Sequence, residues 1–280
     1  LTFEQAEGLA PLPAQLKPRE VSRELRAALW HKIHSDISAS KEKEFGYSVA
    51  GPPWRTILED EYVYRQHKMI DDFKPNISLV LVGVRPTFER GNYAAIFGWL
   101  EFALKHPSCP DSFADDLEGL LRFTNAAYRI VDRKVICPIG SASEHDAIVR
   151  AFADLGSKQF HGARAHLSNA AAQLTAGEYA DSVRESIHAV ESVSRSLDPS
   201  ADLSKALARL EQSISIHPAM KKGFTAPYGY TSDQEGIRHA LLDEGKAKVD
   251  EADTLFMMGA CAAFVSYLIN KAHSARLDIS

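Results

Sequence analysis

The chain has 280 residues, of which 45% are hydrophobic and 25% charged; this is ordinary globular composition, which excludes global disorder, and the length accommodates two domains. The formal net charge is −5. Residues 1–140 carry 18 Lys and Arg against 19 Asp and Glu (net −1), residues 141–280 carry 14 against 18 (net −4), so neither half has the basic excess of a protein that grips nucleic acid by broad phosphate neutralisation, and any RNA contact is local or built across an oligomer.

In chain order, the segment from Phe3 to Leu16, with Pro11 and Pro13, reads as an extended arm. Helix begins near Pro18, with Val21, Leu25, Leu29 and Ile33 at four-residue spacing and Ser22 placed to cap it. Gly51-Pro52-Pro53 breaks the chain, and Trp54 to Phe73 reads as the next helix. Gly83 to Thr87 is expected to turn, with Ile77 to Val84 open to a short strand; Tyr93 to Lys105 is helical up to His106-Pro107. Two β-rich arms in Tyr128 to Ile139 flank Asp132-Arg133 and predict a β-hairpin, although Asp-Arg is not a favoured turn pair. Gly140-Ser141 then punctuates, which places a domain boundary between residues 140 and 141.

Beyond it the pattern is helical, with no strand expected. Segments run from Glu144 to Asp154, from Gly162 to Thr175 with Gly177 as a C-terminal cap, and from Tyr179 to Leu197. Leu203 to Ile214 follows, and His217-Pro218 opens a short helix to Phe224. A capping box, Ser232-Asp-Gln-Glu235, starts the helix that carries Ile237, Leu241 and Leu242. The last helix runs from Asp250 to Ser274. The fold class expected is mainly α: an α-rich N-terminal domain with a short β-hairpin, then a C-terminal helical bundle.

Cys109, Cys137 and Cys261 are odd in number and far apart, which argues against a disulfide framework and for a reducing cytoplasm. No secretion signal opens the sequence, so the Asn76-Ile77-Ser78 sequon reads as chance. The apolar stretch Leu255 to Ile269 is short and mixed for a bilayer span and reads as a buried helix, so no membrane association is expected. Its small residues Gly259, Ala260, Ala262 and Ala263 also suit close approach of a second copy. Nucleotide-binding, kinase and hydrolase motifs are absent. Eleven histidines invite a search for metal ligands. His31 and His34 are one turn apart and His161 and His166 are five apart, but no H-E-x-x-H or C-x-x-C spacing occurs. Neither a metal nor a cofactor is expected.

Two constellations carry chemistry. On the 179–197 helix, Val183, Ile187, Val190 and Leu197 form an apolar stripe, and Arg184, His188, Glu191 and Arg195 form a polar one beside it. A cation, an imidazole and a carboxylate on one stripe suit phosphodiester cleavage; they also suit a solvated, salt-linked face. The second is Arg238-His239, in the second turn of the helix that the capping box starts, near backbone donors that favour an anion. Glu185 and Glu191 are the carboxylates placed to orient either pair, or to lock Arg238 in a purely structural bridge.

The segments Ser182-Val-Arg-Glu-Ser-Ile-His-Ala-Val-Glu191, His217-Pro-Ala-Met-Lys-Lys-Gly-Phe224, Tyr228-Gly-Tyr-Thr-Ser-Asp-Gln-Glu-Gly-Ile-Arg-His-Ala-Leu241 and Phe256 to Lys271 resemble the C-terminal part of AbiJ-class abortive-infection proteins. Leu12-Pro-Ala-Gln-Leu16 and Glu24-Leu-Arg-Ala-Ala-Leu-Trp30 resemble AbiJ N-terminal domain 4. The resemblance implies a HEPN-like bundle: a metal-independent, commonly homodimeric endoribonuclease of phage defence, with a toxin-like effector held by an N-terminal sensor of a phage-derived trigger. The candidates for catalysis are Arg238 and His239, set near the backbone donors of a helix start by the capping box, with Arg184 and His188 as second choice and Glu185 and Glu191 in support. The family's usual Arg, four to six residues, then His is not met. Arg184 and His188 have three residues between them, and the positions after Arg238 that would hold His are Asp243, Glu244 and Gly245. The alternatives are therefore a rearranged active site or a non-catalytic module that binds a partner protein, RNA or nucleotide.

Overall fold

The computed structural model describes residues 7, 16–197, 203–212, 216–219, 222–223, 225–226, 229 and 249–276. The protein is mainly α, with two small antiparallel hairpins among the described residues. It divides into two compact units, Leu1–Lys134 and Val135–Ser280.

The first unit opens on α1 (Arg23–Ala39), whose N-cap Ser22 accepts a hydrogen bond from the Leu25 amide. Leu25, Leu29, Ile33 and Ile37 recur at four-residue spacing and are all fully buried. A hairpin that the sequence does not announce follows. Strands β1 (Lys41–Glu44) and β2 (Tyr47–Ala50) pair with Lys41 opposite Ala50 and Glu44 opposite Tyr47. Its Lys-Glu-Lys-Glu strand has neither β-propensity nor apolar alternation. The two-residue turn supplies the signal instead: Phe45 and Gly46 both take positive φ, 48° and 86°, which fits a tight hairpin.

The helix expected from Trp54 through Phe73 is shorter. Regular α-helix α2 (Trp54–Asp60) passes into a π-helical turn over Glu61–Arg65, and His67 at φ 55° closes it. The turn expected at Gly83 to Thr87 and the strand open to Ile77 to Val84 are both helix, α3 (Ile77–Arg90). Asn76 caps α3 by accepting from the Ser78 and Leu79 amides, and Pro86 is carried inside the helix. Val80, Val84 and Phe88 face inward at helical spacing, whereas exposed Leu79 and Val82 blur the pattern in sequence. Helix α4 (Tyr93–Lys105) runs as expected, capped by Asn92. Helix α5 (Phe113–Phe123), which sequence reading passed over, buries Phe113, Ala114, Leu117 and Leu121.

The second hairpin, β3 (Tyr128–Val131) with β4 (Val135–Pro138), lies where expected. Three residues join the strands; the Lys134 amide donates to the Val131 carbonyl around Asp132 and Arg133, which take φ 49° and 59°, so this sequence reaches the left-handed region twice without glycine. The division between the units falls within this hairpin, ahead of Gly140-Ser141.

In the second unit β4 packs on α7. Helix α6 (Ala142–Asp154) is capped by Ser141, which accepts from the Glu144 amide. Helices α7 (His161–Ala176) and α8 (Tyr179–Leu197) form an antiparallel hairpin across Gly177-Glu178. Gly177 sits at φ 81°, its amide donates to the Leu174 carbonyl, and the Glu178 amide donates to that of Gln173, which satisfies the carbonyls at the end of α7. A Cβ on Gly177 meets no atom within 4 Å, so the backbone alone sets the cost of a side chain. Gly177→Ala is expected to destabilise this unit by about 1–2 kcal/mol, measured by urea unfolding followed by far-UV circular dichroism.

Val183, Ile187, Val190 and Leu197 of α8 are buried as the stripe predicts. Ser182, Ser186 and Ser194 are buried between them. Their hydroxyls donate to the carbonyls of Ala170, Ser182 and Val190, so close helix approach leaves no polar atom of theirs unsatisfied. Helix α9 (Leu203–Glu211) follows, and α10 (Glu251–Ser274) packs against α6, α7 and α8. Asp250 caps α10 in a capping box with Asp253. The apolar faces that suggested a second copy or a buried helix are covered largely by its own unit: Met257, Met258, Cys261, Phe264, Val265, Leu268 and Ile269 are all buried. Among the described residues α10 alone has the length and hydropathy to cross a bilayer, and 61% of its most apolar window is buried inside the unit, as in the core helix of a soluble protein. Burial pushes the Cys261 thiol up to about 12, so it stays protonated and inert.

Candidate functional site

Arg238, His239 and the capping box at Ser232–Glu235 lie outside the described residues. The other four expected site residues are all on α8, and they separate.

Glu185 and His188, one turn apart, meet His166 of α7. His166 Nδ1 lies 2.8 Å from Glu185 Oε2, and His188 Nδ1 lies 3.7 Å from Glu185 Oε1. The two imidazole rings are 5.2 Å apart between centroids, edge to face at 66°. Asn169 Nδ2 donates to Glu185 Oε2 at 3.4 Å, which steadies the carboxylate from the same helix as His166. Burial tends to raise the Glu185 pKa, but the hydrogen bonds from His166 and Asn169 and the charges of the two histidines outweigh it and hold the carboxyl below its ordinary value. The side chains are 37% (His166), 22% (Glu185) and 34% (His188) exposed. All three are therefore anchored on helices yet reachable by a ligand in solution.

Arg184, one residue before Glu185, pairs with Asp181 a turn earlier. Glu191 lies six residues beyond Glu185, about 240° further round the helix at 100° per residue, and so off the face that carries Glu185. His166 and Asn169 were absent from the expected set. Their signal is positional: His166 and His188 lie eleven residues either side of Gly177, and Asn169 and Glu185 eight either side. An antiparallel helical hairpin with its turn at Gly177-Glu178 brings such equidistant positions together.

The arrangement suits two kinds of chemistry. Two imidazoles beside a shared carboxylate can hold and pass protons near neutral pH, with the carboxylate fixing ring orientation. The same three groups offer nitrogen and oxygen ligands to a cation, since one donor atom from each lies within 4.8 Å of the others.

The first unit holds a separate cavity of about 200 Å³, lined by Glu61, Tyr62, Lys68, Phe73, Val80 and Gly83 among others. The Glu61 side chain is buried, and this burial raises its pKa although Gln66 donates a hydrogen bond to it and Arg65 and Lys68 attract it. Its place on a π-helical turn is of a kind that recurs at ligand sites.

No family model matches the chain, and neither a curated protein nor a solved structure matches it significantly.

Proposed function

We propose that the protein is a metal-independent endoribonuclease of HEPN type, the effector of an abortive-infection system, and that His166 and His188 carry its proton transfers with Glu185 as the positioning residue. One observation carries the reading: two partly exposed histidines converge on one carboxylate across a helical hairpin. The resemblance of residues 178–271 to AbiJ-class proteins supplies the substrate class.

In this mechanism a ribose 2′-OH attacks the adjacent phosphorus as one imidazole takes its proton. The P–O5′ bond breaks, and the other imidazole, protonated, gives its proton to the departing 5′ oxygen. The products are a 2′,3′-cyclic phosphate and a 5′-OH end. A neutral imidazole accepts a proton and a protonated one donates it, which is why a histidine pair serves. A cation beside the phosphate stabilises the phosphorane charge. Arg184 supplies it by leaving Asp181. The protein works in the cytoplasm as a homodimer, and the first unit receives the phage-derived trigger, for which the Glu61 cavity is the natural receptor.

Incubation of the full chain with cellular RNA in EDTA is expected to yield fragments ending in 2′,3′-cyclic phosphate and 5′-OH. Fragments with 5′-phosphate ends, or no cleavage by folded protein with and without a trigger from infected cells, overturn the proposal; the second result leaves the non-catalytic binding module.

A further inference from the structure

We infer that His166, Glu185 and His188 form a binding site for a divalent first-row transition metal ion, zinc being the probe, and that the ion blocks the site when bound. The block rests on the reading of these histidines as the proton-transfer pair; the binding does not.

Zinc bonds to imidazole nitrogen and carboxylate oxygen are about 2.0–2.2 Å long. Two ligand atoms on one ion therefore lie about 3–3.5 Å apart, and at most about 4.2 Å apart when opposite. The carboxylate already stands 2.8 Å and 3.7 Å from the two histidine nitrogens. The donor atoms lie within 4.8 Å of one another, so partly exposed side chains close the set by rotation without moving a helix. Glu185 and His188 share one face of α8 at i and i+3, and α7 supplies His166 from the facing side. Asn169 holds the carboxylate from outside the ligand set, as outer groups of metal sites commonly do. Three protein ligands leave the remaining positions of the ion open to water.

Two imidazoles with one carboxylate select for zinc and its first-row neighbours over magnesium and calcium, which prefer all-oxygen sets. A metal takes the lone pairs that the imidazoles need to accept a proton, so occupancy and general base action exclude each other.

The test uses the full chain. Zinc binding is measured by competition with a chromophoric chelator, and thermal unfolding is followed with and without zinc. One equivalent is expected to bind and to raise the melting temperature, and a thousandfold excess of magnesium should not displace it. His166→Gln, His188→Gln and Glu185→Gln should each weaken binding by at least about tenfold, since loss of an outer-shell partner alone costs about 10–100-fold. His31→Ala, an exposed histidine in the first unit, should change nothing. Far-UV circular dichroism shows whether each variant is folded. No saturable binding by the wild-type chain, or binding unchanged in all three folded variants, overturns the site. If RNA cleavage is absent, the proposed function fails and the binding data still decide the site. If cleavage is present, zinc should suppress it and EDTA restore it; loss of cleavage in EDTA with recovery on adding zinc overturns the block.

Discussion

Replacing His188 with glutamine is expected to slow RNA cleavage by about 100- to 10,000-fold, the range that loss of a general acid or base costs, while the melting temperature moves by no more than a few degrees. His188 is a third exposed, and its ring leans on Glu185 and His166 at the surface of the hairpin rather than filling the core. Substitutions at such positions change stability by about 0.5 kcal/mol or less. Glu185→Gln makes a second, graded test. It keeps the shape and a hydrogen-bonding oxygen but removes the charge that orients the rings, so its loss of cleavage should be smaller than that of His188→Gln or His166→Gln. A His166→Gln, His188→Gln double variant should be little worse than either single one, because a proton-transfer pair fails as a unit. Measurement is of initial rates on one defined RNA, in EDTA, beside a thermal melt. Retention of at least half the wild-type rate in either folded single variant removes the pair from the mechanism.

Several helices were legible because one face alone is apolar, although the 113–123 helix was passed over with Phe113, Leu117 and Leu121 on one face. The 23–39 helix announces itself by four-residue spacing and by the cap residue Ser22, and the 179–197 helix by apolar residues three and four apart at Val183, Ile187 and Val190. Pattern failed where both faces carry apolar side chains, as in the helix through Gly83 and Pro86, or where a strand is built of Lys and Glu and only its turn backbone betrays it. Of the site, His188 and Glu185 could be read from one helix, because periodicity reports which residues share a face. His166 could not, since a partner across a helical hairpin is set by where the turn falls. Counting outward from Gly177 makes the pairing visible once the two helices are known to be antiparallel neighbours. The preference for Arg238 and His239 came from the capping box at Ser232–Glu235, which puts both near the backbone donors of a helix start, and these residues lie outside the described structure.

Trp99→Ala is expected to destabilise the first unit by about 3–5 kcal/mol, the range for truncating a buried large aromatic. Trp99 is 2% exposed and lies nearly parallel to Trp54, with ring centroids 6.4 Å apart and 6° between planes. Phe88 meets it edge to face at 5.4 Å, and Phe113 meets Trp54 the same way at 5.1 Å. Helices α2, α3, α4 and α5 each contribute one ring to this cluster. Truncation therefore opens a cavity between four elements and also removes two ring pairs, the edge-to-face contact with Phe88 and the near-parallel one with Trp54, each worth about 0.5–1.5 kcal/mol. Trp99→Phe keeps a ring and should lose less. The chain has three tryptophans, Trp30, Trp54 and Trp99, all in the first unit, so tryptophan fluorescence reports that unit's unfolding with no direct signal from the second. In Trp99→Ala the fluorescence of Trp30 and Trp54 should show a midpoint lower by on the order of 10–20 °C for a unit of this size. A loss of stability below about 1 kcal/mol would mean that the ring sits in a site able to collapse around its absence, and that the stacked aromatics are not what joins these helices.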